Sequence, residues 1–322
     1  MRVLVLGGTE FIGRRVVERL VGRGDEVVVV HRGRTEPDDL PDCGHLHVDR
    51  REFAEVADRV RRFAPDAVVD SYALTRADAE SVLPHLPDVP LVLLSSVDVY
   101  RAWELLLADD DTPLPAPVTE EAPLRRGRFP YRGQGSGLDD YDKLDVEPAY
   151  LARGGTVLRL GMVYGRHDQQ RREELVLRRV RAGRVRIPVG AGDALITRLH
   201  VDDAADAVLA ALDRPEAARG ELFNLGEPVT YPVRGWLRLI LDAAGHEAQL
   251  VRVPDEQVPD DLWLTRRLAQ HVLVDSGKAG RLLGWRPMDP VAAVARSVRW
   301  HLDHPPTDAA ADFDADDRAL AA

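Results

Sequence analysis

The chain is poor in cysteine, methionine and aromatic residues, and it has no surplus of positive charge. One cysteine in 322 residues, Cys43, excludes an internal disulfide framework and fits a reducing compartment. Cys43 itself reads as a small residue in a loop before a strand, not as a nucleophile. Lys and Arg number 43 against 54 Asp and Glu, a formal charge of −11, which speaks against general affinity for nucleic acid. No apolar run reaches the roughly 20 residues of a membrane-crossing helix. The first strand-like run begins at residue 2, leaving no room for a leader peptide, so the expected location is the cytoplasm.

What the sequence does contain is alternation. VLVL (3–6), EVVVV (26–30), HLHV (45–48), AVVD (67–70), LVLLSS (91–96) and TVLRL (156–160) are short, nearly continuous apolar runs. Amphipathic stretches such as FIGRRVVERLVGRG and FAEVADRVRRFAP lie between them. That pattern predicts an α/β fold, a Rossmann-type doubly wound parallel sheet covered on both faces. Its ligand crevice lies at the carboxyl ends of the strands. Residues 1–165 form this domain, with contributions from 195–225. Residues 166–304 form a smaller, interleaved, mixed α/β C-terminal substrate lobe. The segment 101–137 is rich in Pro, Gly and charge and reads as a long functional or mobile loop. Residues 305–322 read as a disordered acidic tail.

GGTEFIG (7–13) stands between the first strand and the first helix. Gly7 permits the tight turn, Gly8 and Thr9 keep the close approach open, and Gly13 lets the helix pack on the sheet. Backbone N–H groups at the helix start, around Phe11 and Ile12, then face a pyrophosphate. Glu10 occupies the position where G-x-x-G-x-x-G places a glycine. Directed inward it repels the pyrophosphate; the expectation is that it points outward. The second strand ends in HRGRTE, where NAD-preferring proteins usually carry an acidic residue. Arg32 and Arg34 suit the 2′-phosphate of NADP instead, with NAD as the second candidate. Asp49 and its neighbour Arg50, at the end of the third strand, are placed for the adenosine.

Together these residues resemble the extended short-chain dehydrogenase/reductase superfamily, in its NAD-dependent epimerase/dehydratase branch. SSVDVY (95–100), LRLGMVYG (158–165), RLHVDDAADAV (198–208), FNLGEP (223–228) and VDSGKAGRLLGWRP (274–287) carry the likeness in order. GGTxFIG is similar to a divergent, atypical group within it, some of whose members bind RNA in plastids. The resemblance implies a catalytic Ser, Tyr and Lys, a small-molecule substrate such as a nucleotide sugar, and a homodimer packed through helices beside the active-site strand. It assigns Ser96 as the serine and Lys143, followed by Glu147, as the lysine.

The tyrosine is the difficulty. Tyr-x-x-x-Lys places both side chains on one helical face, but Asp139 stands four residues before Lys143. Tyr141, two positions away, lies about 200° around a continuous helix. Three readings stay open: Tyr141 reaches the site from a helix that begins between it and Lys143, Asp139 acts as acid or base in a non-redox enzyme, or the protein binds cofactor without turnover. Tyr131 is a weaker candidate, read as a surface or packing aromatic. Asp98 matches the glutamate base of sugar dehydratases, but Val97 replaces their aspartate acid, which disfavours dehydration. Arg159 is either an anion clamp or half of an ion pair. Arg166, His167, Arg171 and Arg172 read as the mouth of the substrate lobe. His200, Asp202 and Asp203 read as structural, the aspartates capping a helix. No spacing predicts a metal site.

Overall fold

Each apolar run of the first half becomes a strand in the computed structural model, which describes residues 1–307 and 312–321. These are β1 (Arg2–Leu6), β2 (Glu26–His31), β3 (Gly44–His47), β4 (Ala67–Asp70), β5 (Leu91–Ser96) and β6 (Thr156–Leu160). The helices that separate or follow them are α1 (Phe11–Gly22), α2 (Ala57–Phe63), α3 (Arg76–Val82), α4 (Arg101–Ala108) and α5 (Lys143–Leu151). Beyond them come β7 (Met162–Tyr164), α6 (Glu174–Arg181), β8 (Arg186–Val189), β9 (Arg198–His200), α7 (Val201–Asp213) and the single turn α8 (Pro215–Ala218). The chain closes with β10 (Leu222–Leu225), α9 (Val233–Ala243), β11 (Gln249–Arg252), α10 (Gly277–Leu283), α11 (Pro290–Asp303) and α12 (Asp314–Ala321).

Among the described residues, seven strands form one parallel sheet in the order β10-β6-β5-β4-β1-β2-β3. The chain winds outward from β1 to β3, then returns to β4 and winds the other way. The crevice between β1 and β4 is therefore the switch point at which such sheets bind ligands. Strand residues alternate between two buried faces. Val3 and Val5 meet Val17 and Leu20 of α1 and Val208 of α7, whereas Leu4 and Leu6 meet Val60 of α2, Val82 of α3 and Val146 of α5. Burying each such side chain contributes about 1.5–3 kcal/mol, which is why a strand with no polar face is stable only in this sandwich.

The lobe has a core of its own, in which Val176 and Leu177 of α6, Trp236 and Ile240 of α9 and Val294 and Val298 of α11 pack against the β8–β11 pair. Two expectations are corrected. Residues 101–108 are helical, so the long irregular segment starts only at Asp109. The acidic tail is not disordered throughout: residues 314–321 form α12, with Ala319 in the lobe core. Asp316 is fully buried against Arg179, with both oxygens at 2.7 Å from the guanidinium, so the tail's negative charge is what holds it down. The rest of that expectation, residues 308–311 and 322, lies outside the described residues. No helix among the described residues is long and apolar enough to cross a membrane.

Candidate cofactor and active site

The turn after β1 is built by steric exclusion. Gly7 sits at φ +82°, in the region that favours glycine, and its N–H donates to Val30 O at 3.0 Å. A Cβ on Gly13 would overlap the Gly7 carbonyl oxygen, so α1 can approach β1 this closely only through glycine. Gly8 packs against Val17 and Val29, and Thr9 is buried. Glu10 is the N-cap of α1, yet its exposed side chain caps nothing. The first backbone bond of the helix runs from Arg14 N to Glu10 O, which leaves the N–H groups of Phe11, Ile12 and Gly13 without a helical partner or a capping side chain. Phe11 begins α1 at φ +38°, at a cost of about 1–2 kcal/mol. An uncapped, strained helix start is what an anion-binding turn requires. A cleft of about 290 Å³ opens beside it, bordered by Thr9, Glu10 and Phe11 on one side and His167, Arg171 and Trp300 on the other. Burial and the neighbouring Arg14 pull the His167 imidazole down to about 4, so it is neutral at neutral pH. Arg166 pairs with Glu18 and Arg172 with Asp168, leaving His167 and Arg171 as the members of that basic group that face the cleft.

At the adenosine side, Arg32 and Arg34 are exposed and form no side-chain hydrogen bond or ion pair among the described residues. Asp49 caps the turn that follows β3, accepting from Arg51 N at 3.0 Å. Arg50 is corrected. Its guanidinium turns inward to Asp70 Oδ2 at 2.7 Å and to the Asp78 carbonyl at 3.1 Å, so its charge is spent inside the protein and not on a cofactor. His31 is likewise turned from the solvent, toward His45 and His47.

The candidate active centre forms where β5 ends. Ser96 is the last residue of that strand, and its hydroxyl accepts from Asp98 N at 3.2 Å. Asp142 adopts an extended backbone (φ −158°, ψ 100°) and caps α5 by accepting from Leu144 N at 3.0 Å, so the helix begins at Lys143. Tyr141 therefore lies before the helix, free of its angular spacing. Its hydroxyl donates to Asp98 Oδ2 at 2.8 Å within reach of the Ser96 hydroxyl. The Lys143 ammonium stands 5.9 Å from the centre of the Tyr141 ring and donates to Ala73 O at 2.7 Å and Leu94 O at 2.9 Å. An ammonium has three donors, so one is left over. Burial lowers the Lys143 pKa to about 8, against the opposing pull of Asp70 and Asp98. Ala73 lies two residues beyond Ser71, whose hydroxyl donates to Leu6 O and Gly7 O, so the lysine and the glycine turn share one support. Asp139 stays outside: its carboxylate accepts from Gly133 N at 2.7 Å on the exposed loop.

Similarity to known proteins agrees with this fold. Residues 3–85 and 146–226 match the model of the NAD dependent epimerase/dehydratase family. The chain belongs to that family. The chain is 31% identical to 2′-dehydrokanamycin reductase of Streptomyces kanamyceticus, over 84% of this chain and 74% of that protein. It is 28% identical to the chloroplast stem-loop binding protein of 41 kDa b of Arabidopsis thaliana, over 99% of this chain and 84% of that protein. In fold it is similar to a UDP-glucose-4-epimerase from Stenotrophomonas maltophila solved with NAD and formylated UDP-arabinopyranose (TM-score 0.72, 20% identity, 94% of this chain and 98% of that one).

Several features of this epimerase/dehydratase family member escape a linear reading. Tyr131 is no surface aromatic: its hydroxyl donates to Asp98 Oδ2 at 2.9 Å, and its ring centre lies 5.2 Å from that of Tyr141. Asp98 thus takes two phenols on one oxygen, while its buried Oδ1 has no partner among the described residues. Burial raises the Asp98 pKa in spite of those two hydrogen bonds. Asp142 gathers Arg125, Arg128 and the Phe129 N–H, tying the long loop to the start of α5 and carrying Tyr131 into place. Arg159 is half of an ion pair: Glu147 receives it at 2.7 and 3.0 Å, and Tyr100 Oη at 2.8 Å, so it is not free to clamp a substrate. His200, not the aspartates after it, caps α7, accepting from Asp202 N at 3.1 Å. Asp202 pairs with Arg15 and Arg296, while Asp203 accepts from Met288 N.

Proposed function

We propose that the chain is an NADP-preferring reductase or epimerase acting on a hydroxyl or ketone of a sugar-like or secondary-metabolite substrate. The observation that carries this reading is the Tyr141 phenol beside Ser96, with Lys143 next to it at the carboxyl edge of the sheet. The free N–H groups of Phe11, Ile12 and Gly13 fit the pyrophosphate of a dinucleotide, and the remaining Lys143 donor fits a ribose hydroxyl. When bound, the nicotinamide supplies the hydride donor or acceptor. Burial and the adjacent Asp98 raise the Tyr141 pKa well above that of an ordinary phenol, so Tyr141 keeps its proton at neutral pH. A protonated phenol is the acid that a carbonyl oxygen needs as its carbon is reduced. Ser96 holds that oxygen by a hydrogen bond, and the Asp98 carboxyl lies next to the phenolate left behind. The similarity to a named reductase is in keeping with this direction.

Arg32 and Arg34 support the NADP preference, being exposed charges with no internal partner where an acid would serve NAD. Calorimetry with NADPH and NADH tests it. Tighter binding of NADPH is expected, with the Arg32→Ala, Arg34→Ala double variant losing about 10-fold or more for NADPH alone. Failure of both nucleotides, oxidised and reduced, to bind at millimolar concentration would sink the reading. A second reading, a nucleotide-binding RNA-associated protein without turnover, is favoured by the similarity to a stem-loop binding protein along 99% of this chain. The net charge of −11 weighs against it, and salt-dependent binding of a stem-loop RNA by a protein inert toward carbonyl substrates would decide for it.

A further inference from the structure

We propose that His31, Glu36, His45 and His47 bind a divalent transition-metal ion, Zn²⁺ by preference, at the outer edge of the sheet beyond the glycine turn. The sequence separates these residues, and the pairing of β2 with β3 brings them together. His45 and His47 alternate along β3 and so share a face. The parallel register sets His31 opposite His47, which adds the third imidazole to that face. The ring centres lie 4.7, 5.0 and 6.0 Å apart. Glu36, from the turn after Arg34, closes the fourth side: Oε2 is 3.0 Å from His47 Nε2 and 4.0 Å from His31 Nε2, and Oε1 is 3.7 Å from His45 Nδ1.

One ligand atom from each of the four residues falls within 4.8 Å of all the others. A tetrahedral zinc with bonds of about 2.0–2.1 Å spaces its ligands about 3.3 Å apart, in the middle of the observed range. Three imidazoles and one carboxylate form a borderline donor set that suits zinc, cobalt or nickel and not magnesium or calcium, which demand oxygen. His31 is buried, whereas the His47 and Glu36 side chains are half exposed, which gives a fixed floor and an open entry. His45 presents its other nitrogen to Cys43 Sγ at 3.6 Å, an outer contact of the kind that orients ligating imidazoles.

Binding has one internal cost. His31 Nδ1 accepts from Gly33 N at 3.2 Å, so its proton rests on Nε2, directed at His45 Nδ1 at 2.8 Å. Coordination through Nε2 moves that proton to Nδ1 and releases the Gly33 amide, which links the ion to the turn carrying Arg32 and Arg34.

The test uses the full chain, stripped of metal and titrated with Zn²⁺ alone against a competing chelator, with no nucleotide present, so it stands apart from the reading of the cofactor site. One equivalent is expected, with at least about 100-fold weaker binding in the His45→Ala, His47→Ala double variant. Imidazole NMR of the unaltered protein gives a second readout that needs no variant. Of the ten histidines, His31, His45 and His47 shift together as the first equivalent enters. Binding of equal strength in the double variant, no saturable equivalent, or first shifts at other histidines would overturn the proposal.

Discussion

Asp70 ends β4, and Asp98 lies two residues beyond the end of the neighbouring β5. Both side chains are buried, and their environments drive them in opposite directions. For Asp70, burial alone would raise the pKa, but the Arg50 guanidinium at 2.7 Å, the Tyr150 hydroxyl and the Tyr72 N–H more than offset it, and the carboxylate stays ionised. Asp98 has no guanidinium. Two phenols share one oxygen, the other oxygen has no partner, and burial prevails, so its pKa is raised. The first acid is satisfied and braces the sheet against α3 and α5. The second lies beside Ser96 and Tyr141 with its charged form disfavoured by burial. The difference separates a carboxylate that its partners hold ionised from one whose pKa burial raises, although residue type and burial are the same.

The sharpest way to break this comparison is to remove the phenol that acts. Tyr141→Phe is expected to lower kcat by about 10²–10⁴-fold, the range of general-acid contributions, while NADPH affinity in calorimetry stays nearly unchanged. Retained turnover would remove the acid role from Tyr141. Next in size, Asp70→Asn leaves the Arg50 charge without its partner and is expected to cost about 3–5 kcal/mol in urea unfolding. Tyr131→Phe removes one of the two phenols on Asp98 and costs about 1 kcal/mol. Its effect on kcat stays well short of that of Tyr141→Phe, because Tyr141 and not Tyr131 stands within reach of the Ser96 hydroxyl. Asp98→Asn has the smallest effect on stability, within about 1 kcal/mol, because an amide oxygen can still accept from the two phenols.

The pH dependence carries opposite signs for the two acids. Asp70, whose native pKa is lowered, lends stability that is present above the unfolded value of about 4 and is lost as pH falls through the native one. Asp98, whose native pKa is raised, lends stability that is whole below about pH 4 and is lost as pH rises through the native value. Urea midpoints measured across pH should therefore show Asp70→Asn flattening the acid limb of the wild-type profile and Asp98→Asn flattening the limb above it. The same limb flattened in both variants would contradict the contrast.

Much of the fold was legible because it rests on local rules. Runs of four to six apolar residues bounded by turns became β1 to β6 almost residue for residue, since a strand buried on both faces needs no partner-specific information. The glycine turn was legible for the same reason: φ +82° at Gly7 and the contact at Gly13 exclude every other residue locally. The start of α5 was not. Asp142 becomes a cap because Arg125 and Arg128, from a segment without periodicity, converge on it. Nor was Tyr131, which meets Asp98 across 33 residues of chain. The tail misled for a related reason, since Asp316 looks solvated until Arg179 is placed beside it.

The amino-acid sequence by itself determined the layered sheet, a ligand crevice at the carboxyl ends of its strands, and the glycine turn that faces it. Those features follow from hydrophobic periodicity and from hard-sphere limits on the backbone, which act between near neighbours. Only the tertiary structure decided which hydroxyl meets Ser96, which aspartate carries charge, and that three histidines and a glutamate share one edge of the sheet. Those outcomes depend on desolvation and on distances between groups far apart in the chain, and neither exists before the chain has folded.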